Sequence, residues 1–162
     1  MIGVITEHKG VLDKVIGESI LAYWGAAADA PGAEMAGRAA LAMVESLKKL
    51  NDGWAMHEFP KLRIGIGLHT GEVVLGRFRV GNKVEVTAIG DSVNVTARLE
   101  ASNKEFGTTI VMSEATRREL GERARVRSLG SVVIKGKAAS METFELLGMS
   151  SAQLTPRGTV TG

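Results

Sequence analysis

The sequence predicts a mixed α+β fold, and two kinds of pattern lead to that prediction. Short β-prone runs separated by glycine-containing turns indicate strands, and stretches in which apolar residues recur at helical spacing indicate helices. Strands and helices mixed in this order, with neighbouring strands joined as hairpins, are typical of the α+β class. The 162 residues are enough for one domain with a sizeable core.

The first predicted elements are the end of a helix, at residues 2–9, and a hairpin that follows it. Residues 11–16 and 19–24 are β-prone runs, and the Gly17-Glu18 pair between them suits a two-residue type II′ turn. The predicted hairpin therefore carries a carboxylate at its tip.

A long amphipathic helix is predicted next. It is expected to begin near Asp29 or Pro31 and to end before Gly53. Its apolar positions recur at helical spacing and are Met35, Ala36, Ala39, Ala40, Met43, Val44, Leu47 and Leu50.

A second hairpin is predicted at residues 62–75, where an alternating stretch, a turn at Thr70-Gly71 and an apolar run follow one another. Gly65 and Gly67 have the spacing that opens a dinucleotide-binding fingerprint. The third position of that fingerprint holds Thr70, and a strand surrounds the pair, so the motif is rejected. The remaining predicted elements are a helix within 88–100, a strand at 108–112, a short helix between Ser113 and Gly121, and strands near 126–134 and 143–147.

One predicted helix start carries an amide and a guanidinium on the same face. Asn94 and Arg98 are four residues apart, so both side chains point toward one reactant, and Asp91 or Ser92 is expected to cap the helix. A neutral hydrogen-bonding group beside a fixed cation suits a phosphorylated ligand. Taken without the rest of the chain, the pair is better explained structurally, with Asn94 as a polar residue of the first turn and Arg98 as a solvated charge.

Composition narrows the classes of function. Twenty Lys and Arg against eighteen Asp and Glu give a formal net charge of +2, which does not indicate nucleic acid or an anionic membrane as partner. The absence of cysteine excludes disulfides, thiolate metal sites and cysteine nucleophiles, so a metal would need carboxylates. Without a long apolar run or a signal sequence, a cytoplasmic location is expected, with no membrane contact from this chain.

Four motifs in order resemble the catalytic domain of the class III adenylate and guanylate cyclases. They are VLDKVIGESILAYWG at 11–25, LRIGIGLHTGE at 62–72, IGDSVNVTAR at 89–98 and IKGK at 134–137. The resemblance implies a ferredoxin-like α+β domain that dimerises head to tail, as a homodimer or a heterodimer, with ATP bound across the interface.

The resemblance also implies roles for five residues. Lys14 and Thr87 would read the purine, in the combination that goes with adenine in the bacterial subtype that carries Thr. Asn94 would orient the ribose, Arg98 would neutralise charge at the α-phosphate, and Lys135 would hold the terminal phosphates. Each residue also has a plain structural explanation: Lys14 as an edge charge that blocks aggregation, Thr87 as an ordinary strand residue, and Lys135 as a solvated strand end.

The expected cofactors are two Mg²⁺ or Mn²⁺ ions, which the resemblance assigns to two aspartates. One aspartate would lie upstream of Met1, and the turn position of the other holds Glu18. The extra methylene moves the carboxylate by about 1 Å, and Mg²⁺ demands near-ideal octahedral geometry, so lower activity or a preference for Mn²⁺ is expected. Glu18 is also explained as a turn residue only. Asp13 and Glu7 lie nearby in sequence, but nothing in the sequence assigns them to the site.

The predicted organisation is a cyclase catalytic domain at 1–149 that lacks the first strand and first helix of the family, and a disordered tail at 150–162. An internal methionine taken as the start, a remnant of a longer protein, or a diverged half would each explain this. The predicted function is conversion of ATP to cyclic AMP and pyrophosphate, with this chain impaired alone. The alternatives are a non-catalytic nucleotide-binding or regulatory subunit that needs an aspartate-bearing partner, and an interaction module that binds no nucleotide.

Overall fold

The predicted α+β class is confirmed by the computed structural model, which describes residues 1–25, 31–55, 59–81, 83–133 and 140–150. In chain order the elements are α1 (Ile2–Glu7), β1 (Val11–Ile16), β2 (Ser19–Tyr23), α2 (Gly32–Trp54), β3 (Ile66–Leu68), β4 (Val74–Val80), β5 (Lys83–Ile89), α3 (Asp91–Phe106), β6 (Ile110–Ser113), α4 (Glu114–Leu120), a 3₁₀ turn (Gly121–Arg123), β7 (Ala124–Val133) and β8 (Ser140–Met149). None of the helices in these ranges is long and apolar enough to cross a membrane.

The strands form one larger sheet and two separate hairpins. The larger sheet has the order β3-β6-β8-β7, in which β3 and β6 are parallel and the other pairs are antiparallel. β1 pairs only with β2, and β4 pairs only with β5, within the described part of the chain. The two hairpins therefore depend on side-chain contacts for their position.

Helices cover both faces of the larger sheet. Ile110 and Met112 of β6 pack in one cluster with Ala40 of α2 and Leu120 of α4. Val111, between them in the chain, packs on the opposite side with residues of α3. Side chains alternate between the faces of a strand, so β6 is buried on both sides and α3 lies across the sheet from α2 and α4.

Two local predictions are confirmed in detail. The first hairpin closes with Ile16 opposite Ser19, and Gly17 has a positive φ of 59°, as a type II′ turn requires. The short helix α4 begins after Ser113, whose hydroxyl accepts a hydrogen bond from the backbone N–H of Thr116 at 3.3 Å. Both features depend on residues close together in the chain.

The predicted second hairpin at 62–75 is wrong. β3 begins only at Ile66 and runs parallel to β6, whereas β4 forms a hairpin with β5. The backbone of Leu62 is instead held by Asn51, whose side chain donates to its carbonyl oxygen at 2.9 Å and accepts from its N–H at 3.0 Å. Alternation identifies a strand but does not identify its partner.

Two predicted helix boundaries are also wrong. α2 continues through Gly53 and ends at Trp54. The N-cap of α3 is Gly90, and neither Asp91 nor Ser92 caps it. The hydroxyl of Ser92 instead donates to the carbonyl oxygen of Glu72 at 2.8 Å, which ties the segment before β4 to the start of α3.

Candidate active site

Two hairpins that are distant in the chain meet at the side chain of Asp13. Its Oδ2 accepts a hydrogen bond from Oγ1 of Thr87 at 2.8 Å, and its Oδ1 accepts one from the backbone N–H of Ala88 at 2.8 Å. The Asp13 side chain has no exposed surface. One buried carboxylate therefore joins β1 to β5.

A bulge in β1 brings Asp13 to this position. The register between β1 and β2 shifts between Leu12 and Lys14, so Asp13 has no residue paired opposite it. A bulge redirects side chains that regular alternation would send to opposite faces. Asp13 and Lys14 consequently face the same region although they are neighbours in sequence.

Lys14 and Thr87 line one cavity of about 430 Å³, together with Asp13 and Val86. The ammonium of Lys14 lies 3.3 Å from Oδ2 of Asp13, and 38% of the Lys14 side chain is exposed. The carboxylate oxygen that binds the Thr87 hydroxyl thus also pairs with the lysine. The structure brings together the two residues to which the family resemblance gives the role of reading a purine.

Asn94 and Arg98 lie one turn apart on α3, which begins two residues after β5 ends. Asn94 is exposed and Arg98 is half-buried, and neither side chain bonds to another residue in the described ranges. Neither residue lines the cavity beside Lys14. Asn94 and Arg98 therefore follow Thr87 closely in the chain, but their side chains do not line the cavity that Thr87 lines.

The position of α3 depends on close contact with β3. A β-carbon at Gly67 would collide with backbone atoms of α3, and one at Gly65 would lie 3.2 Å from the carbonyl oxygen of Glu100, so these glycines let the helix lie close to the strand. The buried amide of Asn103 also donates to the carbonyl oxygen of Ile66 at 3.1 Å. The glycine pair that opens a false dinucleotide fingerprint therefore has a packing role, and it helps to fix the helix that carries Arg98.

Of the two residues predicted to bind metal and terminal phosphates, Glu18 is described by the structure and does not line the cavity with Lys14 and Thr87. Glu18 lies exposed at the tip of the first hairpin. Among the residues that the structure describes, no group of three or more His, Asp or Glu side chains could hold a metal ion, and Glu18 belongs to no such group. Its role as a metal ligand stays a prediction. Lys135 lies outside the described residues.

Sequence reasoning missed Asp13. The two strands predicted for its hairpin, 11–16 and 19–24, have six residues each, so the sequence gives no sign of a bulge. In the structure the second strand ends at Tyr23 and has five residues against six, and such a mismatch accompanies a bulge. The partners of Asp13, Thr87 and Ala88, come from a distant hairpin that no local pattern links to it.

The family model for the adenylate and guanylate cyclase catalytic domain matches residues 3–148, and the chain belongs to that family. Adenylate cyclase 1 of Rhizobium meliloti is 35% identical over 150 residues, which cover 92% of this chain and 23% of that protein. An adenylate cyclase of Anabaena cylindrica is 34% identical over 149 residues, which cover 88% of this chain and 29% of that protein. This chain thus spans less than a third of these curated relatives.

Solved cyclase domains have the same fold. The guanylyl cyclase Cya2 superposes with a TM-score of 0.79 at 28% identity, covering 93% of this chain and 76% of that one. The adenylyl cyclase CyaB from P. aeruginosa superposes with a TM-score of 0.78 at 20% identity, covering 92% of this chain and 77% of that one, and at this identity the likeness shows the fold alone. The similar proteins include both adenylyl and guanylyl cyclases, so the choice of purine depends on the site.

Proposed function

We propose that this chain is an adenylate cyclase domain that converts ATP to 3′,5′-cyclic AMP and pyrophosphate. The observation that supports the proposal is the cavity shared by Lys14 and Thr87, since an ammonium beside a hydroxyl offers hydrogen bonds to the edge of a purine base. The adenylate cyclases of Rhizobium meliloti and Anabaena cylindrica, both more than 30% identical, add support.

Two residues of α3 are proposed to act on the reacting groups. The ribose 3′-hydroxyl loses its proton and its oxygen bonds to the α-phosphorus, while the bond from that phosphorus to the departing pyrophosphate breaks. Asn94 orients the ribose, and Arg98 neutralises the charge that develops on the α-phosphate. Displacement at phosphorus is accelerated mainly by such positioning and charge stabilisation. Lys135 is proposed to hold the terminal phosphates.

A second cyclase subunit is proposed to complete the site. The expected Mg²⁺ or Mn²⁺ needs several oxygen ligands, and the described residues offer no cluster that fits it. We therefore assign no step of the reaction to a metal held by this chain alone. Pairing with a second copy, or with a different subunit that carries aspartates, is the arrangement under which we expect full activity.

The absence of a metal-binding cluster among the described residues favours one alternative function. Lys14, Thr87, Asn94 and Arg98, together with the lack of a carboxylate cluster in the part of the chain that the structure describes, would suit a nucleotide-binding subunit that works only with an aspartate-bearing partner. Binding of ATP without cyclic AMP formation, and activity that appears on mixing with such a partner, would favour this alternative. If the chain does not bind ATP at all, the remaining alternative is an interaction module that binds no nucleotide.

The deciding experiment measures cyclic AMP formed from ATP, with Mn²⁺ or Mg²⁺, at a protein concentration that favours dimers. Arg98→Ala should reduce kcat by about 100-fold, because it removes a charge-stabilising group. Arg118→Ala is the matched control, since Arg118 is also a helical arginine but lies on α4 with its side chain 72% exposed. Equal turnover by wild type and Arg98→Ala would contradict the role of Arg98.

A further inference from the structure

We propose that Asp13 is a positioning residue that sets the purine specificity of the cavity, because it fixes the direction in which Thr87 donates its hydroxyl proton. This inference rests on the proposed function, since it requires that Lys14 and Thr87 meet a purine base. It adds a residue that does not itself contact the base.

The first step concerns the single proton of the Thr87 hydroxyl. A threonine hydroxyl has one proton and two lone pairs, whereas an ionised carboxylate only accepts hydrogen bonds. Oγ1 of Thr87 lies 2.8 Å from Oδ2 of Asp13, so the proton is committed to the carboxylate. Toward a ligand in the cavity, Thr87 then offers lone pairs only.

The second step concerns Lys14, which lies on the other side of the same oxygen. Its ammonium is 3.3 Å from Oδ2 of Asp13, and it carries three N–H donors and no acceptor. One donor faces the carboxylate, and the others are available to a ligand. The cavity therefore presents a donor, Lys14, beside an acceptor, Thr87.

The third step compares this pair with the two purines. Adenine carries a ring acceptor, N1, next to a donor, the 6-amino group, which matches Lys14 and Thr87. Guanine carries the reverse pattern, with a donor at N1 and an acceptor at the 6-oxo group. Guanine would therefore meet Thr87 acceptor to acceptor and Lys14 donor to donor. Each such contact costs the base a hydrogen bond that it makes to water when free.

Asp13 also has a purely structural contact, because its Oδ1 accepts a hydrogen bond from the N–H of Ala88. That contact holds the hairpins together and is distinct from directing the Thr87 hydroxyl. The variant Asp13→Asn separates the two. The backbone N–H can only donate, so the amide oxygen must face Ala88 and the amide NH₂ must take the place of Oδ2. That NH₂ donates to Thr87, whose own proton then turns toward the cavity. The contact between the hairpins is kept, and the hydroxyl direction is reversed. Lys14 loses its carboxylate acceptor but keeps its N–H donors toward the ligand.

The experiment measures dissociation constants of ATP and GTP for the full 162-residue chain with Mn²⁺, by competition with a fluorescent ATP analogue. Asp13→Asn should lower the preference for ATP over GTP by about tenfold or more, since one well-formed pair of hydrogen bonds to a base discriminates by about that factor. Glu145→Gln is the matched control: it removes a carboxylate that pairs with Arg127 on the larger sheet, and it should leave the preference unchanged.

A double variant tests whether Asp13 acts through Thr87. Thr87→Val removes the hydroxyl at nearly constant shape and should lower the preference for ATP by the part that depends on Thr87, while Lys14 still opposes the N1–H of guanine. In that background Asp13→Asn should change the preference no further, which a structural role would not predict. Thermal unfolding of each variant monitors folding. If Asp13→Asn does not fold, a full preference for ATP in Thr87→Val still overturns the inference.

The remaining outcomes separate this inference from the proposed function. If Asp13→Asn weakens ATP and GTP equally, Asp13 only holds the hairpins together, and the inference is wrong while the adenylate cyclase proposal stands. If the wild-type chain binds ATP no better than GTP, Asp13 sets no preference. If it binds neither nucleotide, the proposed function itself fails and the inference fails with it.

Discussion

Gly67 of β3 lies in direct contact with the backbone of Thr96 in α3. A β-carbon at Gly67 would approach the carbonyl oxygen of Thr96 to 2.4 Å and the backbone nitrogen of Glu100 to 2.5 Å. Both distances are far below van der Waals contact, and both partners are backbone atoms that no side-chain rotation can move. This contact fixes the height at which α3, with Asn94 and Arg98, lies above the sheet.

Gly67→Ala should therefore displace α3 and lower both stability and turnover. We expect a loss of about 1–3 kcal/mol in the free energy of unfolding, as for other overpacked interiors, together with reduced cyclic AMP formation. Gly53→Ala is the control, because Gly53 is in α2 with nothing within 4 Å of an added β-carbon. It should raise stability by about 0.5–1 kcal/mol. Urea unfolding measures the free energy of unfolding of each variant, and equal values for Gly67→Ala and Gly53→Ala would contradict the packing role of Gly67.

Asn103 should contribute more to the free energy of unfolding than Asn51, another asparagine whose side chain bonds to the backbone of a separate segment. Asn103 is 4% exposed, and its amide donates to Ile66 and Glu100 while its oxygen accepts from the Thr108 hydroxyl at 2.9 Å. Because its truncation leaves buried groups without partners, Asn103→Ala should cost about 2–3 kcal/mol in the free energy of unfolding.

Asn51→Ala provides the comparison for Asn103→Ala. Asn51 makes two bonds of similar length to Leu62, but in a solvent-exposed position where water replaces them. We expect Asn51→Ala to cost about 1 kcal/mol or less. Denaturant unfolding of both variants makes the test, and a larger loss for Asn51→Ala would show that burial is not what distinguishes the two sites.

Glu34 should contribute a salt-sensitive part of the stability. Its carboxylate, 15% exposed, pairs with Arg38 at 2.9 Å and with Arg123 at 2.7 Å, which ties α2 to the segment after α4. Glu34→Gln should cost about 1 kcal/mol at low salt, and less at 1 M salt, where the screening length falls to about 3 Å. Glu45→Gln, at an exposed pair whose atoms lie 3.8 Å apart, should have almost no effect. A loss that does not depend on salt would indicate packing rather than charge.

When the chain is assayed together with an aspartate-bearing partner subunit, Glu18→Asp should raise the Mg²⁺-dependent rate of cyclic AMP formation several-fold, with a smaller change in Mn²⁺. The shorter side chain withdraws the carboxylate by about 1 Å, and Mg²⁺ tolerates misplaced ligands poorly. Glu7→Asp, on α1, makes the same chemical change away from the hairpin tip and should leave the rate unaltered. An unchanged or lower rate in Glu18→Asp would mean that Glu18 is already well positioned or does not bind the metal.

The features that sequence predicted correctly are those decided by neighbouring residues. Gly17 supplies the positive φ of the first turn, and Ser113 caps the helix that begins one residue later. The shared face of Asn94 and Arg98 follows from their spacing alone once the helix is recognised. These features are local, so a single stretch of chain contains all the interactions that produce them.

Tertiary structure decided which strands pair and which side chains meet. The alternation at 62–68 predicts a strand with one apolar face, and that pattern is compatible with β6 as partner as well as with β4. Asp13 reaches Thr87 because a bulge turns its side chain and because another hairpin docks there. Both depend on contacts between segments distant in the chain, and the periodicity of a strand carries no information about its partner. The sequence therefore determined the family and most of the chemical groups proposed for the site, and packing added Asp13 and determined which of those groups share a cavity.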